Sequence, residues 1–301
     1  MRKAVIGIGS NSVRMLLCEV EGDRGERLLR DRAGTRLFAG LDGERRLSAA
    51  AMEKTAAAVK AMAEHAREEK AEEIRLFATS ATRDAANAEE FAALLKREAG
   101  AQLEIISGEE EAALSYLGAT GGGHAGVIDI GGGSTEIVVG RDASIEKAFS
   151  CQIGAVRLLN MQGIGDLESL EKAIAIAGDI VREMVTRQGS ISRPEKWSGT
   201  GGTFTCLASM ANGTAWDDRT HTHGTLLEKP AVRALAERLA PLSVEERRRI
   251  PSLQPGRADI VVHGICILLA CMELMDIGAI RVSEYGNLDG YFLARLGVSL
   301  N

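Results

Sequence analysis

The sequence predicts an α/β protein of two lobes, each opened by a β-hairpin with a glycine- and serine-rich tip. Three observations carry this reading. The chain has 301 residues, more than one ordinary core holds and suited to two domains of typical size. Segments with the two-residue period of strands alternate with runs of strong helix formers along its length. An internal repeat is also present: Ile-Gly-Ile-Gly-Ser-Asn-Ser-Val-Arg-Met-Leu-Leu at 6–17 lies without a gap over Ile-Asp-Ile-Gly-Gly-Gly-Ser-Thr-Glu-Ile-Val-Val at 128–139. One supersecondary unit therefore occurs twice, and each copy opens a lobe.

Taken in order, residues 2–33 read as a meander of strands broken at Gly9-Ser10-Asn11-Ser12 and Glu21-Gly22-Asp23. Ser48 can cap the alanine-rich helix that runs on to Glu69. Strand, helix, strand and helix follow at 74–79, 88–97, 103–106 and 109–117 and complete a first lobe over residues 1–118. Gly121-Gly122-Gly123 is a flexible break, and residues 119–285 form the second lobe. That lobe has strands at 126–130, 135–140, 144–149, 196–198 and 280–283, with helices at 167–187, 231–239 and 260–275. A closing helix within 286–301 is expected to pack back on the first lobe.

Apolar residues make up 45% and charged residues 26%, the composition of a soluble globular protein. A net charge of −6 argues against a nucleic-acid polymer as partner, because phosphate backbones demand a strongly basic surface. No segment reaches bilayer length, since 260–275 is interrupted by His263, Gly264 and Glu273. Met1-Arg2-Lys3 runs directly into strand-like Ala4-Val5-Ile6 without a signal pattern, so a cytoplasmic location and no membrane partner are expected. Five cysteines without C-x-x-C spacing suggest neither a disulfide framework nor a zinc site. Arg247-Arg248-Arg249, directly after Glu245-Glu246, reads as a solvated helix face.

The chemistry resides in the turns. Consecutive backbone N–H groups at Ser10, Asn11 and Ser12, and at Gly131, Gly132, Gly133 and Ser134, can form concave nests for phosphate oxygens. One such turn alone is ordinary turn chemistry. Two in register, each opening a lobe, point to binding. Asp129, just ahead of its turn, can hold a hard cation beside phosphate, and Glu136 lies on the outgoing strand of the same hairpin. Phosphoryl transfer asks a protein for little more than a metal ion, placed donors and an oriented nucleophile.

Glu109, Glu110 and Glu111 crowd the first turn of a helix. Acids there meet the helix dipole, but three exceed what capping needs, and one can serve as a general base. Arg83, at a strand-to-helix junction rich in hydroxyls, can pin a phosphate, and Gly201 and Gly202 form a further glycine turn ahead of a helix. His221 and His223 near Asp217 and Asp218 lack a third ligand at convincing spacing and read as loop polarity. No serine or cysteine has a recognisable nucleophile–base setting, which disfavours covalent hydrolysis.

Gly-Ser-Asn-Ser at 9–12, Ala-Thr-Ser-Ala-Thr-Arg-Asp-Ala at 78–85, Ile-Ser-Gly-Glu-Glu-Glu-Ala at 106–112, Asp-Ile-Gly-Gly-Gly-Ser-Thr-Glu at 129–136 and Gly-Thr-Gly-Gly-Thr at 199–203 occur in this order. Together they resemble the exopolyphosphatase and guanosine pentaphosphate phosphohydrolase family, Ppx/GppA, in its short two-domain form. The resemblance implies two ribonuclease H-like lobes of the actin-like ATPase superfamily with a cleft between them. It implies that Glu111, with Glu110 as the alternative, activates water, that Arg83 contacts the chain, and that Asp129 and Glu136 hold Mg²⁺ or Mn²⁺. The two nests, with Gly201 and Gly202, would cradle the substrate. Inorganic polyphosphate is the expected substrate, guanosine pentaphosphate the alternative, a weakly active or inactive sensor the alternative of another class, and a homodimer the expected assembly.

Two positions depart from the family pattern. Gly7 stands where the family has an aspartate, as the repeat itself shows by setting Gly7 opposite Asp129. The usual Gly-Leu-Arg-Glu-Gly appears as Gly286-Asn287-Leu288-Asp289-Gly290, without its arginine. If the aspartate helps hold metal, Gly7→Asp is expected to lower the Mg²⁺ requirement.

Overall fold

The computed structural model describes residues 1–120, 123–189 and 191–301, which fall into two compact units. Unit 1 comprises Met1–Gly118 with Asn287–Asn301, and unit 2 comprises Ala119–Gly286. Gly121 and Gly122 of the glycine break lie outside the described residues.

Unit 1 begins with β1 (Arg2–Ile8), β2 (Ser12–Glu21) and β3 (Arg24–Gly34), continues through α1 (Ala49–Glu68), β4 (Ala71–Ala78), the single turn α2 (Ser80–Arg83), α3 (Ala88–Ala99) and β5 (Leu103–Ile105), and then enters α4 (Gly108–Ala119). β1 is central and nearly continuously apolar, with Ala4 to Ile8 buried, as a strand covered on both faces requires. α1 starts where predicted: the Ser48 hydroxyl accepts the Ala51 N–H, and Ala56, Val59, Met62, Ala63 and Ala66 form the buried stripe that a 3.6-residue period makes.

Unit 2 has β6 (His124–Ile130), β7 (Thr135–Arg141), β8 (Ser144–Cys151), α5 (Ala155–Met161), α6 (Leu167–Gln188), β9 (Lys196–Thr200), α7 (Gly202–Asn212), β10 (Leu226–Glu228), α8 (Lys229–Leu239), α9 (Val244–Arg248), α10 (Val261–Leu274) and β11 (Ala279–Val282). α10 is buried from Val261 to Met272, which explains an apolar run without a polar face. The chain then returns to unit 1 as α11 (Asn287–Leu296) and β12 (Ser299–Leu300).

The sheet of unit 1 has the order β12-β3-β2-β1-β4-β5 and that of unit 2 β10-β11-β9-β6-β7-β8. In each, an antiparallel meander continues into two parallel strands, so β3-β2-β1-β4-β5 and β8-β7-β6-β9-β11 share one topology. This is the ribonuclease H-like order, met twice.

Side chains on β2, β3 and β4 fix α11 to its sheet. Asp289 accepts from Arg27 at 2.8 Å and Arg30 at 2.6 Å, and the Asn287 side-chain oxygen accepts from Arg14 at 3.1 Å. Tyr291 stacks on Phe77 with ring centroids 5.2 Å apart.

One expectation is corrected. Arg247 is not on a solvated face but is 2% exposed, donating to the Leu239 and Ala240 carbonyls, each at 3.0 Å. The last carbonyls of α8 have no intrahelical donors, and a guanidinium supplies several at once. Burial pushes the Arg247 pKa down, because the charged form loses solvation.

Candidate active site

The two hairpin tips are built alike. The Gly9 N–H donates to the Ser12 carbonyl at 3.0 Å, and the Gly131 N–H donates to the Ser134 carbonyl at the same distance. In both, the segment after the third strand ties down the tip's carbonyls. Phe38 donates to Ser10 O at 2.9 Å, while Thr35 and Arg36 donate to Asn11 O at 3.2 and 3.0 Å. In unit 2 Ala155 donates to Gly131 O, Val156 and Arg157 donate to Gly132 O, and the Arg157 side chain reaches Gly133 O at 2.8 Å. None of these bonds uses the N–H groups of Ser10, Asn11, Gly132 or Gly133. Anchored carbonyls turn the amides the other way, the arrangement that makes a turn an anion nest.

In unit 2 Asp129 and Glu136 are register partners across β6 and β7, so both carboxylates lie on one face of the sheet. Each is nearly fully buried, and Glu136 accepts the Ser150 hydroxyl at 2.7 Å. The neighbouring turn is held by close approach. A Cβ on Gly201, which has φ +95°, would stand 2.9 Å from Asp129 Oδ1, and one on Gly202 would stand 1.8 Å from Arg257 Cζ. Only glycines there let a carboxylate and a guanidinium both reach the turn that begins α7.

Two facing carboxylates repel, and a cation or proton between them relieves that repulsion. Their hard oxygen donors suit Mg²⁺ or Mn²⁺, and Mg²⁺ commonly takes one or two carboxylates and completes its shell with water and phosphate oxygens. Among the described residues no group of three or more His, Cys, Asp or Glu side chains is placed to hold a metal, so a cation beside this carboxylate pair would complete its shell from outside the protein.

In unit 1 the Arg83 guanidinium donates to Ile106 O at 3.1 Å and lies 3.5 Å from Glu111 Oε2. Glu111 is 7% exposed. Glu110, beside it, is engaged elsewhere: its carboxylate accepts the Ser107 N–H at 2.8 Å while the Ser107 hydroxyl accepts the Glu110 N–H, and Arg295 donates to it at 2.8 Å. The Ser107 backbone bond, the Ser107 hydroxyl and Arg295 hold its pKa below the usual carboxylate value. That weakens Glu110 as a base and leaves Glu111 as the acid beside Arg83.

Gly7 departs from its sequence reading. A Cβ there would stand 2.8 Å from Phe77 Cζ and 3.3 Å from Leu288 Cδ2. Leu288 occupies the place of the absent arginine of the closing motif, so the two departures meet in space. Hydrocarbon fills the position, and Gly7→Asp has to displace it before any metal is reached.

Several residues escaped sequence reasoning. Ser80 pairs its hydroxyl with that of Ser10 at 2.8 Å, and Arg36 adopts φ +57° where its N–H bonds the tip. Arg157 also acts on a turn far away in sequence, and so does Arg257, which falls on a family-like position in sequence but carries no assigned role there. Ser80 lies in the hydroxyl-rich 78–85 motif, whereas the left-handed backbone of Arg36 is visible only in coordinates.

Topology and tips thus define a protein of two ribonuclease H-like units, each presenting a phosphate-suited turn. Comparison with known proteins fixes the family: the model of the Ppx/GppA phosphatase family matches residues 19–297, and the chain belongs to that family. It is 33% identical to exopolyphosphatase 2 of Mycobacterium tuberculosis, over 98% of this chain and 99% of that one. It is 31% identical to the guanosine-5'-triphosphate,3'-diphosphate pyrophosphatase of Aeromonas salmonicida, over 98% of this chain and 59% of that longer one. Among solved structures it is similar to an exopolyphosphatase-like protein, with a TM-score of 0.89, 30% identity and coverage of 98% and 97%.

Proposed function

We propose that this phosphatase removes terminal orthophosphate from inorganic polyphosphate by metal-assisted attack of water. The observation that carries the reading is the pair of tips with anchored carbonyls, one beside buried Asp129 and Glu136, together with Glu111 held by Arg83. Unit 1 supplies the base and a nest. Glu111 takes a proton from water as its oxygen attacks the terminal phosphorus, and the bond from that phosphorus to the bridging oxygen breaks. Arg83 orients Glu111 and offers donors to phosphate oxygens. Unit 2 supplies the Gly131–Ser134 nest and the carboxylates that would hold Mg²⁺ or Mn²⁺. A cation held there would neutralise charge on phosphate oxygens seated in that nest.

The 33% identity to an exopolyphosphatase along both full lengths favours polyphosphate, and the pyrophosphatase relative keeps guanosine pentaphosphate as the second reading. Phosphate release from polyphosphate, guanosine pentaphosphate and ATP, measured side by side, tests both. A general base contributes about 100- to 10,000-fold, so Glu111→Gln is expected to lose that much rate while still binding polyphosphate. A variant with most of the wild-type rate removes Glu111 from this role. A wild type that binds polyphosphate without releasing phosphate supports a sensor instead.

A further inference from the structure

The first turn of α10 carries a histidine into the core of unit 2. His263 is 1% exposed, and its Nε2 lies 2.9 Å from the Gln162 carbonyl. A carbonyl oxygen can only accept, so Nε2 holds the proton that joins them. Gln162 ends α5, where backbone carbonyls run out of intrahelical donors. His263 thus does for the end of α5 what Arg247 does for the end of α8.

At its other end α5 stands on the Gly131–Ser134 tip. Ala155 holds the Gly131 carbonyl and Val156 the Gly132 carbonyl, each at 2.9 Å. Gly154, the N-cap of α5, approaches so closely that a Cβ there would stand 2.4 Å from the Gly132 carbonyl carbon and 2.5 Å from the Gly133 nitrogen. The seven residues of α5 span about 10 Å. With both ends pressed against neighbours, the helix is a strut, and a shift at Gln162 reaches the amides of Gly132 and Gly133.

The next residue of α10 braces the other glycine turn. A Cβ on Gly264 would stand 2.4 Å from Thr203 Oγ1, and Thr203 follows Gly201 and Gly202 at the start of α7. Neighbouring residues on a helix point about 100° apart, so one turn of α10 meets α5 on one side and α7 on another. α10 is buried from Val261 to Met272, and close-packed surroundings make it a fixed reference for both.

We propose that His263 and Gly264 are positioning residues, and that the first turn of α10 sets the geometry of both glycine turns of unit 2 and hence their affinity for phosphate. The inference rests on the reading of those turns as phosphate sites. Neither residue acts on phosphate directly: His263 works through α5, and Gly264 works through Thr203.

The test compares two amides at position 263 by calorimetry with tripolyphosphate and by steady-state kinetics on polyphosphate, well below the melting temperature of each variant. The glutamine amide reaches the place of Nε2, whereas the asparagine amide reaches only that of Nδ1. His263→Gln is expected to bind like wild type. His263→Asn is expected to weaken tripolyphosphate binding and raise KM by about threefold to tenfold, the worth of one hydrogen bond, with kcat within about twofold. Gly264→Ala should weaken binding by a similar factor. Residues at opposite ends of α5 without a shared route would give additive effects, so non-additive losses in His263→Asn combined with Gly154→Ala are the further expectation. A merely structural role would lower the melting temperature and the active fraction while leaving affinity and KM unchanged, and that result in His263→Asn overturns the brace. Wild type supplies a measurement that needs no substitution, because coupling is reciprocal: tripolyphosphate should shift the ring resonances of His263, and shifts confined to the glycine turns overturn the inference. Binding that is equal in the Asn and Gln variants removes the brace and leaves the phosphate reading intact. No binding by wild type removes both.

Discussion

Gly7→Asp probes how this chain differs from its family pattern. The new Cβ would stand 2.8 Å from Phe77 Cζ, 3.2 Å from Phe77 Cε1 and 3.3 Å from Leu288 Cδ2, all closer than ordinary van der Waals contact. Phe77 cannot yield freely, because its ring is 1% exposed and stacked on Tyr291. Overpacking of this kind costs about 1–3 kcal/mol. The carboxylate would also leave water for a surface of hydrocarbon, at about 1–3 kcal/mol or more for an incompletely satisfied polar group. Arg14, its register partner on β2, would return up to about 1 kcal/mol. The expected net loss is about 2–4 kcal/mol, seen as a lower urea midpoint and faster exchange of β1 amides, with no gain in Mg²⁺ affinity. Leu288→Arg added to Gly7→Asp should restore part of that stability, with a coupling of about 0.5–3 kcal/mol in a double-mutant cycle. A singly substituted Gly7→Asp protein as stable as wild type, with a lower Mg²⁺ requirement, would refute the steric argument and restore Gly7 as a missing ligand.

Asp129→Asn is expected to raise the Mg²⁺ concentration for half-maximal activity at least tenfold, and full wild-type activity in excess EDTA would remove the cation from the reaction. Arg247→Met should destabilise unit 2 by about 1–3 kcal/mol, because the Ala240 carbonyl loses its side-chain donor and the Leu239 carbonyl keeps only the Leu242 N–H; intrinsic tryptophan fluorescence reports it, since Trp197 and Trp216 both lie in that unit. His263 is 1% exposed with Nε2 2.9 Å from the Gln162 carbonyl, and burial pushes its pKa below the ordinary histidine value. The unfolded chain then binds a proton that the folded chain refuses, so stability is full above about pH 6.5 and falls as pH drops below it, by at most about 1.4 kcal/mol per unit. Urea midpoints measured from pH 7.5 to 5.5 should show this slope in wild type and lose it in His263→Gln.

The sequence by itself determined the two-unit α/β plan, because strand and helix periods are local signals and because a gapless repeat states that one topology occurs twice. It also determined which turns bear glycines and which carboxylates flank them, since Asp129 and Glu136 lie seven residues apart in one hairpin. Tertiary structure decided the rest. Glu110 and Glu111 are neighbours of one type, and only the Ser107 cap and Arg295 assign the first to the helix end and leave the second with Arg83. Arg247 sits in a charged run indistinguishable from a solvated face until α8 presents its carbonyls. Gly7 reads as a loss in one dimension, whereas Phe77 and Leu288, distant in sequence, show a filled site. The physical reason is common to all three: a side chain's energy depends on what desolvates it and what it touches, and contacts across strands and helices are set by sheet register and helix packing, which no local pattern encodes.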